Sequence, residues 1–289
     1  MSYQVFTEVT ADLTDEVIEQ MPGLHIIPMN VHLGDKDYLF GPGGDLGIQE
    51  FYAHLRNGEF ASTSQITPFA YREQFIPVLE AGEDILYLCF SSGLSDTIQA
   101  ARTCAGELME KYPDRKILVV DTLDAAVGQG MIVCDVMKLY AEGMGIDEAA
   151  ARVEERKLKV CHWFTVDMFD HLLHGGRVSA TSAKLGGMLN IKPFLHLAAN
   201  GKLEVMGKPR GRKTAMRRLL EKIKEGWRPD LGKSVLIGHG DCPEAAEQLK
   251  AQILAELPDA EVYIAYIDPV IGAHTGPDIM ALFYWGDNR

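Results

Sequence analysis

The runs "EDILYLCF" (83–90) and "RKILVVDT" (115–122) constrain this chain more than any other feature. Each is apolar without the alternation of a half-solvated strand, and each leads straight into a helical pattern, from about Asp96 to Tyr112 after the first and over "LDAAVGQGMIVCDVMKLYAEG" after the second. Strands of this kind are buried on both faces, as they are when helices cover a parallel sheet. "YQVFTEV" reads as another strand, "LTDEVIEQM" as a short helix, and "LHIIPMNVHL" as a strand interrupted by Pro28. "YLFGPGGDLG", with four glycines and a proline, reads as a turn or mobile loop, because no Lys-Ser/Thr pair closes it as a phosphate loop requires. The helical face of "IQEFYAHLRNG" follows it. Gly128 and Gly130 weaken the helix they sit in, so they point to close packing against a neighbouring backbone rather than to a nucleotide fingerprint. Beyond "DEAAARVEERKLKV" the patterns shorten: "CHWFTV", "KPFLHLA" and "KLEVMG" read as strands between glycine-rich turns, before a final helix and strand series. These patterns predict an α/β fold in two lobes, residues 1–160 and 161–289, with the N-terminal lobe built on a parallel sheet flanked by helices.

Charge narrows the partners. With 28 Lys and Arg against 41 Asp and Glu, the formal net charge is −13, and no basic run is dense enough to offset the repulsion of a polyphosphate backbone. Nucleic acid is excluded as a partner on this reading. The five cysteines are scattered, with no C-x-x-C pair, and Cys89, Cys104 and Cys134 sit in apolar patterns expected to bury reduced thiols. "MSYQVFTEVT" lacks a basic segment followed by an apolar core, and no apolar run approaches the roughly 18 to 20 residues that span a bilayer. The expectation is a cytoplasmic protein.

Three clusters of small donors stand out. "CFSSGLSDT" ends a buried strand and opens a helix, where unpaired backbone N–H groups and the helix dipole favour an anion. Ser91, Ser92, Ser95 and Thr97 add hydroxyls, more than a helix N-cap needs. "ASTSQITP" supplies Ser62, Thr63, Ser64 and Gln65 just before a helix that begins at Pro68, where a capping role is equally natural. "DPVIGAHTGPD" places His274 and Thr275 in a loop between glycines. No G-x-S-x-G elbow accompanies the serines, and His171 and His174 of "HLLH" have no further ligand with metal-site spacing. Donors without a matched nucleophile and base suit binding better than turnover.

"HGGRVSATSAKLGGMLNIKPFLHL" adds Arg177, displayed between glycines and suited to a carboxylate or phosphate, and "SAKLGGML", apolar enough to close over a greasy ligand. "TSQITP", "SSGLSDT", "VDT…GQG", "LLHGGRVSATSAKLGGMLNIKPFLHL", "KPRGRKTA" and "AHTGPD", in this order across nearly the whole chain, resemble the DegV family of lipid-binding proteins, which includes the fatty-acid-binding subunits of bacterial fatty acid kinase. The resemblance implies a parallel-sheet lobe and a smaller mixed lobe enclosing one acyl chain. Its carboxylate would be held by Thr63, Ser95 and His274, with Ser64 and Ser92 beside them, and Arg177 would belong to the surface used by the kinase subunit. It further implies no catalytic residue or cofactor in this chain, a long-chain fatty acid as ligand, an ATP-dependent kinase as partner for acyl-phosphate formation, and transient contact with a membrane surface. Two alternatives are a serine-dependent acyl hydrolase or transferase using Ser95 or Ser92 with His274, and a carrier or sensor of another amphipathic lipid with no kinase. The chain departs from the family pattern at Asp96, whose carboxylate would repel an anion unless it points away, for instance to cap the helix, and at Glu8 and Val9 of "TEVTADL", where "DSTADL" is common.

Overall fold

The structure, a computed structural model, describes residues 2–179, 190–287 and 289. "SAKLGGML" lies outside the described residues. In chain order the first half comprises β1 (Tyr3–Glu8), α1 (Asp15–Glu19), β2 (Leu24–Ile27), β3 (Met29–Leu33), β4 (Lys36–Phe40), α2 (Ile48–Arg56) and β5 (Ala61–Thr63). It continues through α3 (Pro68–Glu80), β6 (Asp84–Cys89), α4 (Thr97–Lys111), β7 (Ile117–Asp121), α5 (Ala126–Ala141) and α6 (Ile146–Arg156). The second half holds β8 (Val160–Thr165), α7 (Asp170–His174), β9 (Phe194–Leu197), β10 (Leu203–Gly207), α8 (Arg212–Gly226) and β11 (Ser234–His239). It closes with α9 (Pro243–Glu256), β12 (Glu261–Tyr266), α10 (Pro269–Thr275) and β13 (Met280–Trp285).

The two continuous apolar runs become neighbouring strands of a parallel sheet in the order β2-β1-β6-β7, with Val5 paired to Leu86 and Leu86 to Leu118; β6 is an inner strand, whereas β7, read in sequence as buried on both faces, takes the edge and is only partly buried. All six residues of β6 are buried, as a strand between two helical layers must be. The second half forms a six-stranded mixed sheet, β10-β9-β8-β13-β11-β12, parallel only between β11 and β12. The C-terminal residues therefore carry the wider of these two sheets.

Pro28 does more than interrupt a strand. Lacking an N–H for the ladder, it separates β2, which joins the parallel sheet, from β3, the centre of an antiparallel sheet ordered β4-β3-β5. Tyr38–Phe40 of the presumed loop are the end of β4, paired to β3 across a turn at Gly34.

Three apolar clusters hold these layers. One side of the parallel sheet packs on α2, α3 and α4 through Phe6, Phe51, Tyr71, Phe75 and Tyr87. The other side packs on α5, which is buried nearly all round and is itself covered by Phe164, Ala281 and Phe283 of the six-stranded sheet. The outer face of that sheet is closed by α8 and α9 through Leu219, Ile223, Leu249 and Ile253. Gly128 and Gly130 allow α5 its central place: a Cβ at Gly130 would stand 2.4 Å from the Ala11 carbonyl oxygen, and one at Gly128 would stand 2.9 Å from the Phe283 ring. Helix α5 thus reaches a backbone neighbour that no other residue would admit.

Candidate functional site

The carboxyl ends of β1 and β6 open towards α10 and the face of β8 and β13, and a cavity lies between them. This is where a parallel sheet presents its loops and helix N-termini, so backbone donors and side chains from distant segments converge there. The wall is apolar where Met29, Phe90, Phe164, Ile271, Ile279 and Ala281 line it. At one end Thr63, Ser64, Ser95, Arg177 and His274 also line it, five of the six residues picked out in the sequence.

Each of these side chains is placed by its element. Thr63 ends β5, and its Oγ1 lies 2.8 Å from His274 Nε2, joining segments 211 positions apart. Helix α10, which carries His274, begins at Pro269 and is capped by Asp268, whose Oδ1 accepts from the backbone N–H of Val270 and, at 2.9 Å, of Ile271. Asp12 fixes the same corner from the other side, its Oδ1 accepting from the Asp268 backbone N–H at 2.9 Å. Burial raises both carboxyls, Asp268 to about 6 and Asp12 well above its ordinary range, where the neighbouring Asp268 adds to the effect.

His274 is neutral. Burial, with Arg177 and His174 nearby, pushes it down to about 3, and among the described residues its Nδ1 has no hydrogen-bond partner. A Cβ on Gly175 would stand 2.1 Å from that Nδ1, so only glycine fits there. Arg177 donates from Nε to the Leu94 carbonyl at 3.2 Å and from Nη1 to the Gly175 carbonyl. The guanidinium also faces an outer groove shared with Gly93 and Lys202, and so forms part of the wall between cavity and surface.

The opening stretch divides its hydroxyls. Ser91 is buried and donates to the Gly201 carbonyl at 2.8 Å, a structural tie to the β9–β10 turn. Ser92 does not reach the cavity: with Ser91 pointing inward, its neighbour is exposed, and its backbone N–H donates to Asp121 at 3.2 Å. Ser95 turns its Oγ to Thr97, donating to Oγ1 at 2.9 Å and accepting from the backbone N–H at 3.2 Å. That contact does the capping expected of Asp96, whose side chain is exposed and makes no cap bond. In the other cluster Thr67 caps α3, accepting from Ala70 at 3.2 Å, which leaves Thr63 and Ser64 for the cavity. His171 and His174 each lie 4.8 Å, ring centre to ring centre, from Phe60.

The cavity also has polar residues that the sequence reading did not place there. Glu8 is fully buried at the end of β1, accepting from Phe90 N at 2.8 Å and Gln129 Nε2 at 3.2 Å, and burial raises its carboxyl to about 7. Thr10 and His162 share the wall. In sequence Glu8 stood out as the charge closing the apolar run "YQVFTE" and as a departure from the family pattern, with nothing to place it in a cavity; His162 reads as an ordinary strand residue.

A family model described as "Uncharacterised protein, DegV family" matches residues 2–287. The chain belongs to the DegV family. A DegV domain-containing protein of Clostridium perfringens is 37% identical over 287 residues, covering 99% of this chain and 98% of its own. Among solved structures, a fatty-acid-binding DegV family protein from Thermus thermophilus superposes with a TM-score of 0.87 at 27% identity, covering 99% of this chain and 100% of its own. DegV of Bacillus subtilis, also a fatty-acid-binding protein, gives 0.85 at 26% identity over 99% of each chain. The parallel sheet, the mixed sheet and their order are thus those of the DegV fold.

Proposed function

We propose that this DegV family protein binds one long-chain fatty acid in the cavity, with the carboxylate at Thr63, Ser95 and His274 and Ser64 beside them, and presents that group to a separate ATP-dependent kinase subunit for acyl-phosphate formation. The observation that carries the reading is the Thr63–His274 hydrogen bond at the polar end of an otherwise largely apolar cavity. The neutral imidazole and the hydroxyls satisfy a carboxylate without a second buried charge, while Arg177 offers the positive potential. The tail supplies affinity: at about 0.8 kcal/mol per buried methylene, roughly 15 methylenes give about 12 kcal/mol before ordering costs. The fatty-acid-binding relatives from Thermus thermophilus and Bacillus subtilis support the ligand class. Arg177, reaching both the cavity and the outer groove, is the residue proposed to meet the kinase.

A hydrolytic role has less support from the geometry, because Ser95 bonds Thr97 and His274 bonds Thr63, so among the described residues neither Ser92 nor Ser95 pairs with His274. Native mass spectrometry of the purified protein, followed by extraction, is expected to yield one fatty acid per chain. Thr63→Ala, Ser95→Ala and His274→Ala should each slow acyl-phosphate formation with added kinase. Normal rates in all three would defeat the head-group assignment, and an empty protein that takes up no added fatty acid would defeat the reading as a whole.

A further inference from the structure

His162 lies in the cavity wall at a place where a saturated tail offers it nothing. The residue is 6% exposed, its ring centre lies 4.2 Å from that of Phe283 with the planes tilted by 45°, and it turns Nδ1 to Asp124 Oδ1 at 3.3 Å. Asp124 is completely buried and is also paired to Arg289 at 3.4 Å. A carboxylate facing Nδ1 fixes the tautomer: Nδ1 carries the proton, and Nε2 is left with a lone pair. Burial pulls the His162 pKa down against the attraction of Asp124, so the ring stays neutral at pH 7. Among the described residues Nε2 has no hydrogen-bond partner. Two polar neighbours on this wall are already satisfied: Glu8 accepts from Phe90 and Gln129, and Thr10 donates to Gln129 at 3.1 Å. His162 is therefore an open acceptor in an apolar chamber, a costly arrangement for a ligand made only of methylenes.

Strand register locates it along the tail. His162 pairs with Phe283 and Phe164 with Ala281, while Ile279 and Ala281 line the cavity on the way from His274. Two further strand residues carry His162 about 7 Å beyond the Ala281 level. We propose that His162, oriented by Asp124, is a second polar subsite of the cavity, and that the protein takes a long-chain fatty acid bearing a hydroxyl at a mid-chain or distal carbon. This rests on the fatty-acid reading above and specifies its substrate class. An acceptor nitrogen selects a hydroxyl, which donates, over a keto group, which does not.

The test is equilibrium binding of stearic acid, a panel of positional hydroxystearic acids and the matching oxostearic acids to the whole protein, wild type and His162→Phe. One mid-chain or distal hydroxy isomer is expected to bind about fivefold or more tighter than both stearic acid and its own oxo counterpart. The ratio is expected to fall to about one in the variant. Stearic acid binding as tightly as every hydroxy isomer, an oxo acid matching its hydroxy partner, or a ratio unchanged by His162→Phe would each overturn the subsite while leaving fatty-acid binding intact. Failure to bind any member of the panel would instead remove the reading on which it rests. The wild-type ratios decide the matter by themselves if the variant does not fold.

Discussion

Glu8→Gln should remove one component of the pH dependence that the wild-type protein carries in its stability. The Glu8 carboxyl is fully buried, and burial lifts it from an ordinary 4.5 to about 7 against hydrogen bonds that pull the other way. Between these two values the folded chain holds a proton that the unfolded chain has released. Stability from this group is therefore complete below about pH 4.5, falls as pH rises, and is lost once pH passes about 7. A difference of about 2.5 units at 1.36 kcal/mol each gives a loss of about 3 kcal/mol. In a chain of this size that lowers the melting temperature by on the order of 5 °C. Glutamine keeps an oxygen for the Phe90 N–H, and the Gln129 amide can turn over to meet its new donor. Melting curves for wild type and variant, collected from about pH 5 to about pH 8, should therefore converge at low pH and separate at high pH, with the variant the more stable. Asp12 and Asp268 titrate in the same direction in both proteins, so the difference between the curves isolates Glu8. Parallel curves across the range would refute the assignment of the raised carboxyl to this residue.

Gly175→Ala drives a Cβ into His274 Nδ1, and overpacking of this kind costs about 1–3 kcal/mol; fatty-acid titration should register a loss of about tenfold or more, and unchanged affinity would show that His274 does not set the head group. Because His274 ionises only near about 3, lipid affinity should show no titration step from this residue between about pH 5 and 8. A step in that interval that disappears in His274→Ala would contradict the neutral ring. Arg177→Ala is expected to lower the rate at which the kinase uses the loaded protein more than it lowers lipid affinity, read from parallel phosphorylation and binding assays; equal use of both proteins would take Arg177 out of the partner surface.

Much of this was legible in the chain itself, for a physical reason. Strands buried on both faces need unbroken apolar runs, so β6 could be read locally, as could the helices after both runs; β7, equally apolar, took the sheet edge and is only partly buried. The glycines of α5 had to mean close approach, and Ala11 and Phe283 supply the neighbours. Hydroxyl clusters beside helix starts marked Thr63, Ser64 and Ser95, because helix N-termini advertise their donors in sequence. Local pattern could not decide direction. Whether Ser91 or Ser92 faces inward depends on a single turn of backbone, and whether Ser95 or Asp96 caps α4 depends on which oxygen reaches a free N–H. Nor could it decide what lies opposite. Pro28 marks a break, but only packing assigns the two sides of that break to different sheets. Glu8 and His162 look ordinary in their strands until the parallel sheet, α5 and the six-stranded sheet close around them, removing the water that would have satisfied them and leaving Gln129 and Asp124 to do so. Most helices, the inner strands and the donor types are local properties that could be read along the chain, whereas β4 and the shared desolvated chamber depend on segments far apart in sequence, because pairing, burial and convergence exist only once those segments meet.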